Sequence, residues 1–132
     1  PWVDSGQEHA SQDPYTIQAV GDLKLRLHAS EALQDRAGLA VDRAVANPTA
    51  ETVAEAQIAV AEAKVLSTEI AIAASNKLFE LAGARSTLAE NNLDRHWRNA
   101  RTHTLHDPVR WKYAILGNYF LNDVKPPLHA WS

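Results

Sequence analysis

The feature that most constrains the fold is a long apolar repeat in the middle of the chain, between Ala50 and Leu81. Large apolar residues recur every seven positions, and a small residue stands four positions before each of them. The large residues are Ile58, Val65, Ile72 and Phe79, and the small ones are Ala54, Ala61, Thr68 and Ser75. Such a repeat predicts an α-helix whose alternating large and small side chains let neighbouring helices interlock. The other faces are also rich in Ala, Val and Ile, so we predict a central helix contacted from several sides.

A second long helix is predicted before this repeat, from Asp13-Pro14 to about Ala46. An Asp side chain caps free amides, and Pro loses nothing at the first helical position. Asn47-Pro48-Thr49 separates the two helices, because a residue before Pro leaves the α region and Thr49 caps the central helix. Apolar residues recur at threes and fours, which predicts one buried stripe. The stripe comprises Ile17, Val20, Leu23, Leu27, Leu33, Ala37, Val41 and Ala44.

Two short helices are predicted after Gly83, which is a typical stop for the central helix. Ala84 to Glu90 forms a connection, after which Asn91 or Asn92 is expected to cap a third helix. Asp107-Pro108 repeats the earlier Asp-Pro signature and predicts a capped fourth helix, from Val109 to about Leu121. Because no strand pattern is present, the expected fold class is all-α, an up-and-down four-helix bundle.

The bundle is expected to occupy residues 13–121. We predict that residues 1–12 form a linker from an upstream domain, because they are rich in Pro, Gly, Ser and charges and the chain begins with Pro and contains no Met. Residues 122–132, with Pro126-Pro127, are expected to form an irregular C-terminal tail.

Composition excludes several classes of function. The chain has no Cys, which removes disulfides and thiolate metal sites and favours the cytoplasm. It has no apolar run near the ~20 residues that span a bilayer. Before Asn91 the chain has seven basic and thirteen acidic residues, and from Asn91 onward six and three. The basic residues do not form a long stripe with interleaved aromatics, so no nucleic-acid partner is predicted.

The basic half contains a dense polar run, Leu93 to Pro108, with three His, three Arg and a Trp. His103 and His106 are three residues apart, which places both imidazoles on one helix face, and Asp107 could add a third metal ligand. No HExxH motif or repeated Glu-x-x-His pair accompanies them, so no metal site is predicted. The alternative is a pair of solvent-exposed polar residues at a helix end.

Three arginines of this run, Arg95, Arg98 and Arg101, recur every third residue and form a basic ridge. Such a ridge can clamp phosphate or carboxylate groups. The favoured interpretation is a solvated face paired with acids of a neighbouring helix. Asp107 is best explained as a helix cap. The larger aromatic residues are interpreted as core or interface residues rather than a stacking platform; they are Trp97, Trp111, Tyr113 and Tyr119.

Two segments carry a family resemblance: Leu78 to Thr87 (LFELAGARST) and Leu93 to Pro108 (LDRHWRNARTHTLHDP). From about His9 onward the chain resembles the C-terminal helical domain of the acyl-CoA dehydrogenase superfamily, within its flavin-dependent monooxygenase branch of dibenzothiophene monooxygenase and sulfur-acquisition oxidoreductases. The resemblance implies that a reduced flavin reacts with oxygen to give a C4a-(hydro)peroxyflavin. This species oxygenates a small substrate, often a sulfur compound.

The resemblance also implies roles for individual residues. His106 matches the active-site histidine of the branch, with His103 one turn earlier as its support. The loop from Gly83 to Ser86 matches a loop that approaches the flavin of a neighbouring subunit. The implied cofactor-binding residues are Arg85, Ser86, Asn99 and Arg101, and the implied cofactor is reduced flavin, FMN rather than FAD.

The same resemblance implies partners. The family also has an N-terminal helical domain and a middle β domain, and the flavin lies between them and the bundle, so the isolated chain is expected to be inactive and to bind flavin weakly. The implied partners are a homo-oligomer, tetrameric in the full-length protein, a flavin reductase and a small-molecule substrate.

Two alternatives remain open. One is an acyl-CoA dehydrogenase proper, although Asp107-Pro108-Val109 stands where that enzyme class has its catalytic Glu-Gly-Thr. The other is a non-catalytic helical oligomerisation module, although such a scaffold does not need two His behind an arginine ridge.

Overall fold

Four α-helices account for most of residues 3–129, the part of the chain that the computed structural model describes. They are α1, Pro14–Ala46; α2, Ala50–Ala82; α3, Asp94–His106; and α4, Val109–Asn122. Short 3₁₀ turns precede α1 (Val3–Ser5 and Ala10–Gln12) and connect α2 to α3 (Ala84–Thr87 and Ala89–Asn91). No strand occurs between residues 3 and 129. The predicted all-α up-and-down four-helix bundle is confirmed.

The centre of the bundle is α2, on which α1, α3 and α4 all pack. Its four small companion residues are buried, as are the first two large residues of the repeat, whereas the last two are half-buried. These residues are, in the same order, Ala54, Ala61, Thr68, Ser75, Ile58, Val65, Ile72 and Phe79. The prediction of a central helix contacted from several sides is therefore confirmed.

The hydrophobic core lies between α1 and α2 and is built mainly from alanine. Ala37 and Ala40 of α1 pack against Ala56, Ala59 and Ala63 of α2. Side chains this small let two helix axes approach closely, because little volume separates the backbones. The stability of this pair therefore depends on these positions remaining small.

The predicted buried stripe of α1 is only partly correct. Ala37 is buried, and Leu23, Leu33 and Ala44 are half-buried. The other four members of the stripe are exposed: Ile17, Val20, Leu27 and Val41. The reason is that α1 packs mainly on one helix, α2, and one neighbour covers only a narrow seam of an amphipathic helix.

Three of the predicted helix ends are confirmed. The Asp13 carboxylate accepts hydrogen bonds from the amides of Tyr15 at 2.8 Å and Thr16 at 3.4 Å. The Thr49 hydroxyl oxygen accepts one from the Thr52 amide at 3.1 Å. Gly83 ends α2 with φ of 79°, a left-handed conformation that costs glycine little because it has no Cβ.

The predicted cap of α3 is wrong. Asn92 is in the left-handed region, with φ of 46°, and ends the preceding 3₁₀ turn. The residue at the N-cap position of α3 is Leu93, which offers no side-chain hydrogen bond. Asn tolerates the left-handed conformation better than most residues, so the turn uses Asn92 for its backbone rather than for its amide group.

The segments outside the helices have different surroundings. Residues 123–128 contain no helix or strand, and this segment is joined to α2 by a Lys125–Glu51 ion pair of 2.7 Å and a hydrogen bond from Gln57 to the Pro127 carbonyl. The predicted linker contains the two 3₁₀ turns, and its role stays a prediction. The predictions for residues 1–2 and 130–132 lie outside the described residues.

No described helix has both the length and the apolar composition needed to span a bilayer.

We predict that Ala59→Leu lowers the free energy of unfolding by about 1–3 kcal/mol, because the added side chain overpacks the α1–α2 seam. Chemical denaturation of the 132-residue chain measures this change. Ala71→Leu is the matched control, since Ala71 is an exposed residue of the same helix. Equal unfolding free energies for the two variants would contradict the close packing of α1 on α2.

Candidate functional site

The candidate site lies on α3, a helix of 13 residues none of which is fully buried. Asn99, His103 and His106 are spaced four and then three residues apart, so they line one face of the helix. All three are exposed. Arg101 lies on another face, where its guanidinium donates a hydrogen bond to the Thr104 hydroxyl at 3.2 Å. The structure thus brings three of the four α3 candidates together and separates Arg101 from them.

The basic ridge of α3 is solvated, but its pairing differs from the prediction. Arg98 Nε lies 3.2 Å from Asp94 Oδ2, an acid one turn earlier on the same helix, and both side chains are largely exposed. The expectation of acids from a neighbouring helix is wrong for Arg98. An acid four residues away is already within reach along the helix surface, and such an exposed pair contributes little to stability.

The loop after α2 holds the other two candidates, Arg85 and Ser86. Ser86 is buried, and its hydroxyl lies 2.6 Å from the Gly83 carbonyl oxygen and 3.4 Å from that of Phe79. The Ser86 hydroxyl therefore donates its proton to backbone carbonyls at the end of α2. The Arg85 carbonyl accepts a hydrogen bond from the Asn91 side chain at 2.8 Å, while its exposed guanidinium forms no ion pair within residues 3–129. The loop backbone is therefore held by hydrogen bonds, and the Arg85 guanidinium is the cationic group that it exposes.

Arg85 and Ser86 lie near the beginning of α3, whereas His106 is its last residue. Ser86 contacts the backbone at Phe79 near the end of α2, whereas Asp107, just beyond the far end of α3, pairs with Lys64. From Lys64 to Phe79 the α2 axis rises about 22 Å, at about 1.5 Å per residue. The loop after α2 and the last turn of α3 are therefore two separate places on one chain.

The residue that follows His106 is at the centre of a charge cluster. Asp107 Oδ2 lies 2.9 Å from Lys64 Nζ of α2 and 3.1 Å from Lys112 Nζ of α4. The side chains of Lys64, Lys112 and Asp107 are 14%, 11% and 28% exposed. We call these three residues the Asp107 cluster. Ion pairs at this depth are screened less than surface pairs.

The prediction that Asp107 caps α4 is wrong. The N-cap position of α4 is occupied by Pro108, and no side chain caps the helix there. Two ammonium groups compete with the free amides for the Asp107 carboxylate, and hydrogen bonds to charged donors are the stronger ones. The ion pairs therefore replace the cap.

The cluster keeps Asp107 ionised. Burial acts to raise the pKa of Asp107, but hydrogen bonds from Lys64 and Lys112 and their positive charges outweigh it, so the pKa lies below its ordinary value of 3.8. A carboxylate that is already held by two cations and titrates this low is a poor proton acceptor near neutral pH.

Sequence reasoning missed Lys64 and Lys112. The available signal was the position of Lys64, a charged residue between two apolar residues of the central helix, Ala63 and Val65. A lysine there is expected to have a partner, because an unpaired charge is costly to bury. A second missed link joins α4 to α2, where the Tyr113 hydroxyl donates a hydrogen bond to the Glu69 carboxylate.

Beside the Asp107 cluster, α4 and the tail enclose a cleft of about 420 Å³. Asp107 and Lys112 line part of it, with Trp111, Ile115 and Pro126 among its apolar residues.

Three of the aromatic residues interpreted as core or interface residues, Trp97, Trp111 and Tyr113, are exposed and so do not belong to the core; that they form an interface stays a prediction. They are exposed because α3 and α4 each pack mainly on one helix, α2, so their outer aromatic residues are left uncovered. Tyr119 is half-buried and meets Phe120 edge to face.

Metal ligands do not converge in the described part of the chain. Within residues 3–129, no group of three or more His, Asp or Glu side chains is arranged to hold a metal ion. His103, His106 and Asp107 therefore do not form a three-ligand site in this structure.

The chain belongs to the acyl-CoA dehydrogenase superfamily, as its C-terminal helical domain. Residues 3–111 match the family model described as "Acyl-CoA dehydrogenase, C-terminal domain". This agrees with the family resemblance of the two sequence segments and with the four-helix architecture.

Several similar relatives are monooxygenases. Dibenzothiophene monooxygenase of Mycolicibacterium goodii is 37% identical over 129 residues, which cover 96% of this chain and 31% of the relative. The probable FMNH2-dependent monooxygenase SfnC of Pseudomonas putida is 38% identical, with 96% and 33% covered. The chain thus spans about a third of the length of these relatives.

Solved structures show the same fold. Methanesulfinate monooxygenase MsuC from Pseudomonas fluorescens superposes with a TM-score of 0.94 at 38% identity, covering all of this chain and 35% of the other. FMN-bound TdsC from Paenibacillus sp. A11-2 gives a TM-score of 0.94 at 36% identity, with all of this chain and 34% of the other covered.

The Asp107 cluster predicts a pH-dependent contribution to stability. Because the folded state lowers the pKa of Asp107, its ion pairs stabilise the fold above pH 3.8, and this contribution is lost as the pH falls through the lowered pKa. Asp107→Asn should cost on the order of 2 kcal/mol of unfolding free energy at about pH 6, since hydrogen bonds to charged groups are lost.

Denaturation of both proteins as a function of pH measures this effect. The difference between the wild type and Asp107→Asn should shrink progressively below pH 3.8. Glu51→Gln is the control, because it removes an exposed ion pair with Lys125 and should change stability little. A difference that stays constant from neutral to strongly acidic pH would show that the Asp107 ion pairs do not stabilise the fold.

Proposed function

We propose that this chain is the C-terminal helical domain of a flavin-dependent monooxygenase that oxygenates a small substrate, with sulfur compounds as the class to test. The observation that carries the proposal is the contrast between two adjacent residues. Asp107 is held as a carboxylate by two lysines, whereas His106 lies on the exposed last turn of α3. The names of the relatives, which include two sulfur compounds, support the same class.

The dehydrogenase alternative is disfavoured by the state of Asp107. By the family resemblance, Asp107 stands where a dehydrogenase has the carboxylate that removes a proton from its acyl substrate. Such a base must be within reach of the substrate and able to accept a proton. In this chain the carboxylate already accepts from Lys64 and Lys112, and its pKa is lowered. A residue other than Asp107 must therefore transfer the proton. His106, which is adjacent in the chain, is the candidate.

We assign proton transfer to His106. Imidazole suits this role near neutral pH because it both holds and donates a proton there. His103, one turn earlier on the same face, is its support. When bound, the flavin supplies the reducing equivalents and the activation of oxygen, and the protein contributes positioning, proton supply and exclusion of water.

The hydrogen-bond donors among the candidate residues suit a cofactor that carries a phosphate. Arg85 offers a guanidinium without an ion pair in residues 3–129, which matches a phosphate. Ser86, Asn99 and Arg101 remain the other proposed contacts, although Ser86 already uses its proton within the loop. FMN is proposed rather than FAD, because SfnC is named as FMNH2-dependent and TdsC was solved with FMN.

The separation of the candidates along α2 supports a site shared between subunits. Arg85 and His106 lie near opposite ends of α3, so we propose that they serve two different flavins. One subunit would contribute His106 to its own flavin and Arg85 to that of a neighbour, as the resemblance implies for a tetramer. A flavin reductase is the proposed source of reduced FMN, and the cytoplasm is the proposed location.

Removing the imidazole of His106 tests the proposed function. In the intact flavoprotein, we expect His106→Ala to lower kcat for oxygenation by ~10²–10⁴-fold, the usual contribution of a positioned acid or base, while FMN remains bound. His96→Ala is the matched control on the same helix. Stopped-flow turnover together with FMN titration separates the two effects. Unchanged turnover in His106→Ala would remove His106 from the mechanism.

The 132-residue chain alone should bind FMN weakly. The proposed flavin contacts on α3 are exposed, and a site that buries little of its ligand gains little affinity. Isothermal titration with oxidised and reduced FMN measures this, with Arg85→Ala as the comparison. Tight stoichiometric binding by the chain alone would show that the site is complete without further domains.

A further inference from the structure

We propose that Asp107 is a positioning residue for His106, and that the Asp107 cluster fixes the place where α3 ends. The chemical meaning of this inference rests on the proposed function, because it concerns the residue assigned to proton transfer. Its structural part is independent of flavin, since it concerns only how one end of α3 is held against α2 and α4.

Apolar packing is weak at the joint between α3 and α4. Neither helix contains a fully buried residue. Hydrophobic burial therefore fixes these helices less firmly than it fixes α1 on α2, where five alanines are buried together. The position of the joint therefore depends more on polar interactions than the position of α1 does.

The Asp107 cluster ties one atom to two helices. A single carboxylate oxygen, Oδ2 of Asp107, accepts from the ammonium groups of Lys64 and Lys112 at 2.9 Å and 3.1 Å. Lys64 belongs to the central helix, and Lys112 belongs to the first turn of α4. The oxygen is therefore fixed relative to both helices at once.

These ion pairs are largely shielded from water. The two lysine side chains are 14% and 11% exposed, whereas both side chains of the Lys125–Glu51 pair are mostly exposed. A shielded pair holds its geometry better, because water and salt compete less for the charges. The Tyr113–Glu69 hydrogen bond adds a second polar link from the beginning of α4 to α2.

A single peptide unit connects the cluster to His106. His106 is the last residue of α3, and Asp107 follows it with φ of −124° and ψ of 98°, outside the helix. Consecutive Cα atoms are about 3.8 Å apart. Fixing the Asp107 carboxylate thus restricts where the His106 backbone and its imidazole lie.

Three variants of the 132-residue chain, compared by NMR and hydrogen exchange, test this role. Asp107→Asn removes the charge, Asp107→Glu keeps it on a longer side chain, and Glu51→Gln breaks the exposed pair as a control. We expect Asp107→Asn to shift the imidazole-ring signals of His106 and to speed amide exchange at residues 104–110. Asp107→Glu should restore part of both effects, and Glu51→Gln should leave both unchanged.

Two results would overturn the inference. The first is a folded Asp107→Asn chain whose His106 signals and local exchange are unchanged. The second is an increase in exchange at residues 104–110 that is no larger than the increase at the α1–α2 seam, which would indicate loss of global stability alone. If Asp107→Asn does not fold, Lys64→Met removes one of the two ion pairs and is judged by the same two results.

The intact flavoprotein separates this inference from the proposed function. Asp107→Asn should lower kcat by ~10–100-fold without changing FMN affinity, because a misplacement of about 1 Å has effects of this size, and Asp107→Glu should recover part of the loss. Unchanged kcat in Asp107→Asn, with His106→Ala inactive, would overturn the positioning role. Full activity in His106→Ala would instead refute the proposed function, and the NMR result would still decide the structural role of the cluster.

Discussion

The packing of three helices on α2 is the constraint on which the rest of the structure depends. Buried small residues occupy several faces of this helix, so α1, α3 and α4 each find a surface that they can approach closely. The seam with α1 contains the buried alanine cluster. Because each outer helix packs mainly on α2, each is covered on one side only, and its opposite side faces outward.

This one-sided packing explains which parts of the fold could be predicted from the sequence. The ends of α1 and α2 depend on residues next to one another in the chain, such as Asp13-Pro14, Thr49 and Gly83, so local chemistry was sufficient to place them. The burial of the α1 stripe depends on how many helices surround α1. Periodicity shows which face is apolar, but it does not count the neighbours that cover it, and Ile17 and Val20 are consequently exposed.

In the candidate site, too, some features are set by neighbouring residues in the chain and others by residues that only the fold brings close. Helical spacing alone was enough to place His103 and His106 on one face of α3. The role of Asp107 was not predictable from its neighbours, because the same Asp-Pro pair that caps α1 meets a lysine of α2 at the second occurrence. Lys64 is distant in the chain and near in space, so only the fold brings its charge to Asp107.

On the proposed function, His106 rather than Asp107 transfers the proton. The cause is the pairing of the Asp107 carboxylate with Lys64 and Lys112. Two cations stabilise the ionised form of Asp107 and so weaken it as a base, while they anchor the joint at which α3 ends. Proton transfer then falls to the neighbouring imidazole of His106, which is exposed and is not fixed by core packing. The positive charges of Lys64 and Lys112 thus have two consequences. They make the Asp107 carboxylate a poor base, and they give His106 a defined position at the end of α3.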